Sequence, residues 1–133
     1  MTNVFTDQEK FMVASDQTVN TFNEEQYNLY LRLIREEFNE LQVAHADNDR
    51  VEQLDALLDL IVVVVGAIHS AGFDGEGGWK EVMKTNFAKI DKETGKVRKR
   101  EDGKVLKPEG WQPPNLKPFV KRDMGNGFVP EFI

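Results

Sequence analysis

The sequence predicts an all-α fold: a helical bundle with a turn-rich C-terminal arm and a core completed by oligomerisation. Two stretches support this prediction. Residues 52–66 are almost entirely apolar, and residues 27–41 place apolar side chains at helical spacing. A helix that is apolar nearly all round is usually buried nearly all round. Part of the core is therefore expected to be shared with another subunit.

The composition is that of one ordinary globular domain. The chain has 133 residues, of which 40% are hydrophobic and 30% are charged. It has no cysteine, which excludes disulfides, thiolate nucleophiles and cysteine-ligated zinc. The net charge of −6 argues against nucleic-acid binding, and the apolar run 60–68 is too short to span a membrane. With no signal peptide in the sequence, we expect a cytoplasmic protein that binds neither nucleic acid nor membranes.

The first helix is predicted from a capping pattern. Thr6, with Glu9 three residues later, forms a capping box in which each side chain bonds to the backbone of the other residue. The pattern predicts a short helix over residues 7–17, with Phe11 and Met12 as its apolar anchors.

Two long helices follow, and their ends carry local signals. Asn23 is a suitable N-cap for the first, and Asn48 or Asp49 caps the second. Gly72 predicts the end of the second helix because glycine readily adopts the left-handed conformation. The two predicted helices cover residues 24–46 and 50–71.

The rest of the chain is less regular. The glycine-rich residues 72–78 predict a flexible connection to a helix over residues 79–88. Glycine, proline and basic residues then predict an arm without a core of its own, with a hairpin about residues 101–104. The single predicted domain has a helical body, a basic turn-rich arm and a tail: residues 6–90, 91–118 and 119–133.

Three acids interrupt the apolar helix. Glu52, Asp55 and Asp59 fall within a narrow arc of its circumference. Carboxylates in an apolar helix cost several kcal/mol each, on the order of the penalty for an unpaired buried charge. Because no lysine or arginine lies between Val51 and Trp79, a bound divalent cation is the simplest partner.

The preceding helix carries a second acidic cluster. Glu37 lies on the edge of the apolar stripe, Glu40 lies just beyond it, and Glu36 lies further toward solvent. If the two helices pack antiparallel, the clusters can meet around metal. A solvated acidic face is the alternative interpretation of this cluster.

Positive charge is concentrated further along the chain, in residues 80–107. A carboxylate centre beside a flexible cationic arm suits a polyphosphate, whose oxygens share the metal while lysine and arginine neutralise the remaining charge.

These patterns resemble a known family. The EExxE pattern at residues 36–40, and an acidic pair before an aliphatic run, are similar to the all-α nucleotide pyrophosphohydrolases. That group includes MazG-like enzymes, dimeric dUTPases and phosphoribosyl-ATP pyrophosphohydrolases. Residues 85–91, 100–107 and 110–115 resemble the phosphoribosyl-ATP pyrophosphohydrolase-like branch found in bacteria and phages. The resemblance covers roughly residues 25–118.

The resemblance implies hydrolysis of a (deoxy)nucleoside triphosphate to the monophosphate and pyrophosphate, with Mg²⁺ or Mn²⁺ as the cofactor. It implies Glu37, Glu40, Asp55 and Asp59 as metal ligands. The family's ExxD pattern fits Glu52 and Asp55 literally. However, the family's aspartate stands directly before the aliphatic run, and the residue in that position here is Asp59. Glu52 is therefore kept as an outer member of the ligand set or a substitute.

The resemblance also implies roles around the metal. Glu36 or Glu40 would orient or deprotonate the attacking water. Asn86 and Lys89 would contact phosphate or sugar, and Arg100 or Lys104 would close over the phosphates from the same or another subunit. Family members are dimers or tetramers, so we expect a homodimer or homotetramer. The four nucleotide-binding residues of this prediction are Asn86, Lys89, Arg100 and Lys104.

Other functions remain open at this stage. Within the family, the substrate could be phosphoribosyl-ATP or dUTP. Outside it, the chain could be a helical module that binds metal or a basic partner without turnover. A carboxylate-bridged redox bundle is disfavoured because His45 and His69 lack the required Glu-x-x-His spacing.

Overall fold

A computed structural model of the chain describes residues 2–120, which form five helices joined by turns. No strand forms within residues 2–120, where the β-type pairing consists of isolated bridges. The predicted all-α fold is confirmed. No helix in the same range is long and apolar enough to cross a membrane. The helices are α1 (Val4–Ala14), α2 (Glu24–Ala46), α3 (Arg50–Ser70), α4 (Gly75–Phe87) and α5 (Lys117–Val120).

Helices α2 and α3 form an antiparallel hairpin, which is the centre of the fold. At the closed end, Gln53 Nε2 donates to the carbonyl oxygen of Ala44 over 3.3 Å. At the open end, Gln26 Nε2 donates to Ser70 Oγ over 2.8 Å. Each helix begins at its predicted cap because the side chain accepts a first-turn N–H: Asn23 from Gln26 and Asp49 from Glu52.

A glycine allows the two helices to approach closely. The Tyr30 ring packs directly over the backbone of Gly66, where a Cβ would overlap the ring. Tyr30 also joins Met12, Val63 and Ala67 in the core. The two helices of the hairpin therefore pack closely near its open end, where α1 covers them.

Helix α1 begins earlier than predicted. Its N-cap is Asn3, whose Oδ1 accepts the N–H groups of Phe5 and Thr6 at 2.9 Å each. Thr6 completes the capping box from the third helical position, so the prediction that Thr6 is the cap was wrong by one turn. Met12 is fully buried as expected, but Phe11 is 63% exposed and is not an anchor.

Residues 72–78 are not the flexible connection that their glycines predicted. Gly72 does end α3 in the left-handed conformation, with φ of 76°. However, α4 starts at Gly75 because Asp74 Oδ1 accepts the N–H of Gly77 over 3.0 Å. The glycines at 75 and 77 give room to the Phe5 and Phe119 rings, so their role here is close packing.

The arm consists of turns that follow α4. Antiparallel bridges join Ile90 to Val97 and Lys99 to Val105. The Arg100 N–H donates to the carbonyl oxygen of Lys104 over 2.8 Å, as predicted for a hairpin about residues 101–104. The arm returns to α4 and ends in α5; the rest of the predicted tail, 121–133, lies outside the described residues.

The outer face of α3 is exposed in this single chain, so the expected burial of the helix nearly all round would require another subunit to cover this face. Leu54 is 59% exposed and Leu58 is 52% exposed. The reason is geometric, because α2 covers one side of α3 while α1 and α4 reach only part of the other. The exposed apolar side chains of this outer face are Leu54, Leu57, Leu58, Ile61, Val62 and Val64.

Candidate active site

Four carboxylates act on one another where α2 and α3 pack together. Burial raises the pKa of Glu37 to about 7, assisted by the adjoining carboxyl of Glu40 and by the charges of Asp59 and Asp55. Burial also raises the pKa of Asp59, and the charges of Asp55 and Glu40 raise it further. Glu36 is exposed and is not among the groups that shift these two pKa values. The antiparallel hairpin thus brings together four of the acids singled out in the sequence.

One oxygen of this cluster lacks a partner. Glu37 Oε2 is buried and accepts no hydrogen bond within residues 2–120. The two ion pairs of that range lie elsewhere, joining Lys84 to Glu81 and Arg100 to Asp102. No side-chain cation of residues 2–120 therefore pairs with the cluster, and a carboxylate in this position is stabilised either by a proton or by a bound cation.

The donor set suits a hard divalent cation, which prefers carboxylate oxygens. No three acidic or histidine side chains within residues 2–120 are already close enough to hold an ion. Glu40 and Asp55 are exposed, which leaves them room to turn toward an ion between the helices. The side chains thus have the oxygen donors that such an ion prefers, and they would have to turn toward one another to bind it.

Glu52 lies further toward the closed end of the hairpin. It lines a cavity of about 400 Å³ together with Glu40 and Asp55. Asp47 and Asp49 line the same cavity, and the sequence patterns did not single them out for it. Asp49 is already used as the cap of α3. Glu52 thus shares a cleft with two of the proposed ligands, which suits an outer position.

The predicted phosphate-binding residues lie in two separate places, one pair at the end of α4 and the other in the hairpin of the arm. Lys89 Nζ donates to Asn86 Oδ1 over 3.1 Å, so the expected pair at the end of α4 is formed. Arg100 is held by Asp102 through bonds of 2.6 and 3.2 Å. Lys104 donates its backbone N–H to the same carboxylate over 3.0 Å. Within residues 2–120, no hydrogen bond or ion pair links these basic residues or Asn86 to the carboxylate cluster.

Trp111 attaches the arm to α4, a contact that sequence patterns did not reveal. Its Nε1 donates to the carbonyl oxygen of Thr85 over 2.7 Å. Lys89 Nζ and Lys107 Nζ each lie 5.0 Å from the centre of the indole ring. Lys107 was not among the predicted binding residues, because only the folded arm brings it to the ring.

Comparison with known proteins identifies the family. The sequence model of phosphoribosyl-ATP pyrophosphohydrolase matches residues 8–86, more than half of the chain. The chain belongs to the phosphoribosyl-ATP pyrophosphohydrolase family. That family is part of the MazG-like all-α nucleoside triphosphate pyrophosphohydrolases, in agreement with the resemblance noted in the sequence. No match was found among curated proteins.

Membership of the phosphoribosyl-ATP pyrophosphohydrolase family indicates a pyrophosphohydrolase that acts on a nucleotide triphosphate. MazG-like enzymes generally use divalent metals, which agrees with the carboxylate cluster. The matched residues include α2, α3 and Asn86 but end before Lys89 and the arm. The family match therefore covers the carboxylate cluster and Asn86, and it does not cover Lys89, Arg100 or Lys104.

Proposed function

We propose that this phosphoribosyl-ATP pyrophosphohydrolase family member hydrolyses a (deoxy)nucleoside triphosphate to the nucleoside monophosphate and pyrophosphate. The observation that carries the proposal is the environment of the Glu37 carboxylate. Burial and then three neighbouring acids raise its pKa to about 7, and its Oε2 has no hydrogen-bond partner within residues 2–120. Such a cluster is costly unless it binds cations, and a triphosphate is the substrate class that brings magnesium with it.

In the proposed site, Glu37, Glu40, Asp55 and Asp59 hold Mg²⁺ or Mn²⁺, with Glu52 in an outer position. A bound ion of this kind neutralises charge on the phosphates and lowers the pKa of its water. Glu40, or the exposed Glu36, would orient the attacking water and accept its proton. The position of Glu40 supports this role, because it lies both beside Glu37 and in the cleft with Asp55.

The basic residues would bind the phosphates. Lys89 is already oriented by Asn86, and Lys104 is exposed on the hairpin. Arg100 must first leave Asp102, but both side chains of that pair are more than half exposed, at 51% and 60%. An exposed pair contributes roughly 0–1 kcal/mol, so a phosphate can replace Asp102 at little cost.

We further propose that the protein is a homodimer or homotetramer, with the whole chain acting as a single domain. The exposed outer face of α3 supports this proposal. A contiguous apolar face of this kind is unfavourable in water and is usually covered by a partner. A second copy would also exclude water from the carboxylates, which strengthens their interaction with an ion.

The direct test is product analysis after incubation of the purified protein with each dNTP, dUTP and phosphoribosyl-ATP in Mg²⁺ or Mn²⁺. We expect monophosphate and pyrophosphate from at least one substrate, and the panel identifies which. Glu40→Gln and Asp59→Asn should abolish turnover, whereas Glu25→Gln at the start of α2 should not. Release of diphosphate and orthophosphate, or full activity in both site variants, would reject the proposal.

A further inference from the structure

An apolar groove of about 910 Å³ lies between α1, α3 and α4. Its floor is one face of α3 between Leu57 and Ile68, and the rings of Phe5 and Trp79 form part of its walls. Trp79 is 57% exposed and Ile61 is 45% exposed, so this apolar surface is open to water. A large contiguous patch of this kind marks a place where another segment or molecule binds.

Helix α5 brings the chain to the edge of this groove. Phe119 and Val120 line a smaller cavity next to α4. Phe5, Ile68 and Trp79 line that cavity and the groove alike, so the two spaces adjoin. The described part of the chain therefore ends, at Val120, beside the open groove.

The residues that follow Val120 have the length and composition to fill the groove. Residues 121–127 are polar or glycine apart from Met124, and residues 128–133, the apolar tail segment, have the sequence FVPEFI. The first seven residues reach at most about 23 Å, and the apolar tail segment is about 20 Å long when extended. The face of α3 between Leu57 and Ile68 is about 16 Å long, because a helix rises about 1.5 Å per residue.

The charges at the groove also match the apolar tail segment. Glu76, the acid of the groove lining, already accepts a hydrogen bond from Asn3 Nδ2 over 2.9 Å. Lys80 is exposed at the groove and takes part in neither ion pair of residues 2–120. Glu131 is the one charged residue of the apolar tail segment. A surface pair between Glu131 and Lys80 would set the register of the segment, while its apolar side chains supply most of the binding.

We propose that residues 128–133 bind in the groove of their own chain. Phe128 and Phe132 lie against its apolar walls, and Glu131 lies beside Lys80. The own chain is favoured over the tail of a second copy, because a connection of seven residues keeps the segment at a high local concentration.

This docking leaves room for the second copy proposed above. The apolar tail segment covers Val64 and the part of the outer face of α3 that lines the groove. Leu54 and Leu58 do not line the groove and stay available to a second copy, and Ile61 lies on the border between the two surfaces. The proposal therefore accounts for a different part of the exposed apolar surface and does not depend on catalysis.

A disulfide between introduced cysteines tests the contact directly, because the chain has no cysteine of its own. Under mild oxidation of dilute protein, the pair Lys80→Cys and Glu131→Cys should form a within-chain disulfide. We expect this reaction to be about tenfold faster than for the pair Lys84→Cys and Glu131→Cys, because docking raises the local concentration only at the groove. Lys84 is a matched control, since it is an exposed lysine one turn further along α4 that lines a different cavity. Equal rates for the two pairs, or disulfides only between chains, would overturn the proposal.

Trp79 gives a second measurement that leaves the groove unchanged. The chain has two tryptophans, so in a Trp111→Phe background Trp79 is the only source of indole fluorescence. Combining Phe128→Ser with Phe132→Ser should increase the quenching of this fluorescence by acrylamide, because the ring loses its cover. Met124→Ser, in the polar connection, should leave the quenching unchanged. Quenching that is the same with and without the two phenylalanines, or that changes with protein concentration because a second copy covers Trp79, would refute docking of the chain's own tail.

Discussion

Glu37→Gln is expected to stabilise the metal-free protein at alkaline pH. In the folded chain the pKa of Glu37 is raised from 4.5 to about 7. Above pH 7 the native protein must therefore hold an unfavourable negative charge that the unfolded chain tolerates. The glutamine has nearly the same shape and no charge, so it removes this cost.

The size of the effect follows from the shifted pKa. A rise from 4.5 to about 7 corresponds to about 3 kcal/mol, and contact of the cluster with solvent reduces the expected gain to about 1–2 kcal/mol. The sign is set by proton binding: between pH 4.5 and 7 the folded state binds more protons than the unfolded state. Wild-type stability should therefore fall as pH rises through this range, and the Glu37→Gln variant should show a weaker dependence, because the raised pKa of Asp59 remains.

The assay is urea unfolding in EDTA from pH 5 to 8.5 at fixed protein concentration. The free energy of unfolding of Glu37→Gln should exceed that of the wild type at pH 8 and should differ little at pH 5. Glu36→Gln is the matched control, because Glu36 is the exposed neighbour and should change the stability by less than about 0.5 kcal/mol. A gain that is the same at both pH values, or that Glu36→Gln also produces, would refute the electrostatic reasoning.

Three further outcomes are expected. Millimolar Mg²⁺ or Mn²⁺ should raise the melting temperature of the wild type, equivalent to about 2–3 kcal/mol at a hundredfold excess over Kd, and Asp59→Asn should abolish the rise. Gly66→Ala should destabilise the fold by about 1–3 kcal/mol, as overpacking against Tyr30 usually does, whereas Gly78→Ala meets its neighbours at an ordinary 3.8 Å and should be tolerated in thermal unfolding. Ile61→Glu should convert the proposed oligomer to a monomer in light scattering; a wild type that is already monomeric, or an unchanged mass, would show that the outer face of α3 is not an interface.

The sequence predicted helices well where the signal was local. Asn23 and Asp49 cap α2 and α3 through bonds to residues three positions away, so their starts could be located from short patterns. Helix α1 was misplaced because two overlapping capping patterns exist, and Asn3 competes successfully with Thr6. The start of α4 was predicted four residues too late, because the glycine-rich composition of residues 72–78 suggested a flexible connection. The packing of Phe5 and Phe119 against those glycines depends on the tertiary structure.

The candidate site was likewise predictable from the sequence only where the signal was local. Helical periodicity placed Glu37 and Asp59 on facing sides of two helices. In the structure, burial first and then neighbouring acids raise both pKa values. Their role as metal ligands stays a prediction. The arm's attachment could not be located in this way, because Trp111 and the lysines near its ring meet α4 through the bond between Trp111 and Thr85. That contact spans 26 residues, and no local pattern reports it.

The bond between Trp111 and Thr85 has one more consequence. It closes residues 86–110 into a loop that starts and finishes on the same helix. Changing the length of such a loop costs little free energy, because closure entropy grows slowly with the number of residues. The turn at Gly103, with φ of 88° and open space around it, is therefore a suitable place to insert a reporter peptide without disturbing the helices.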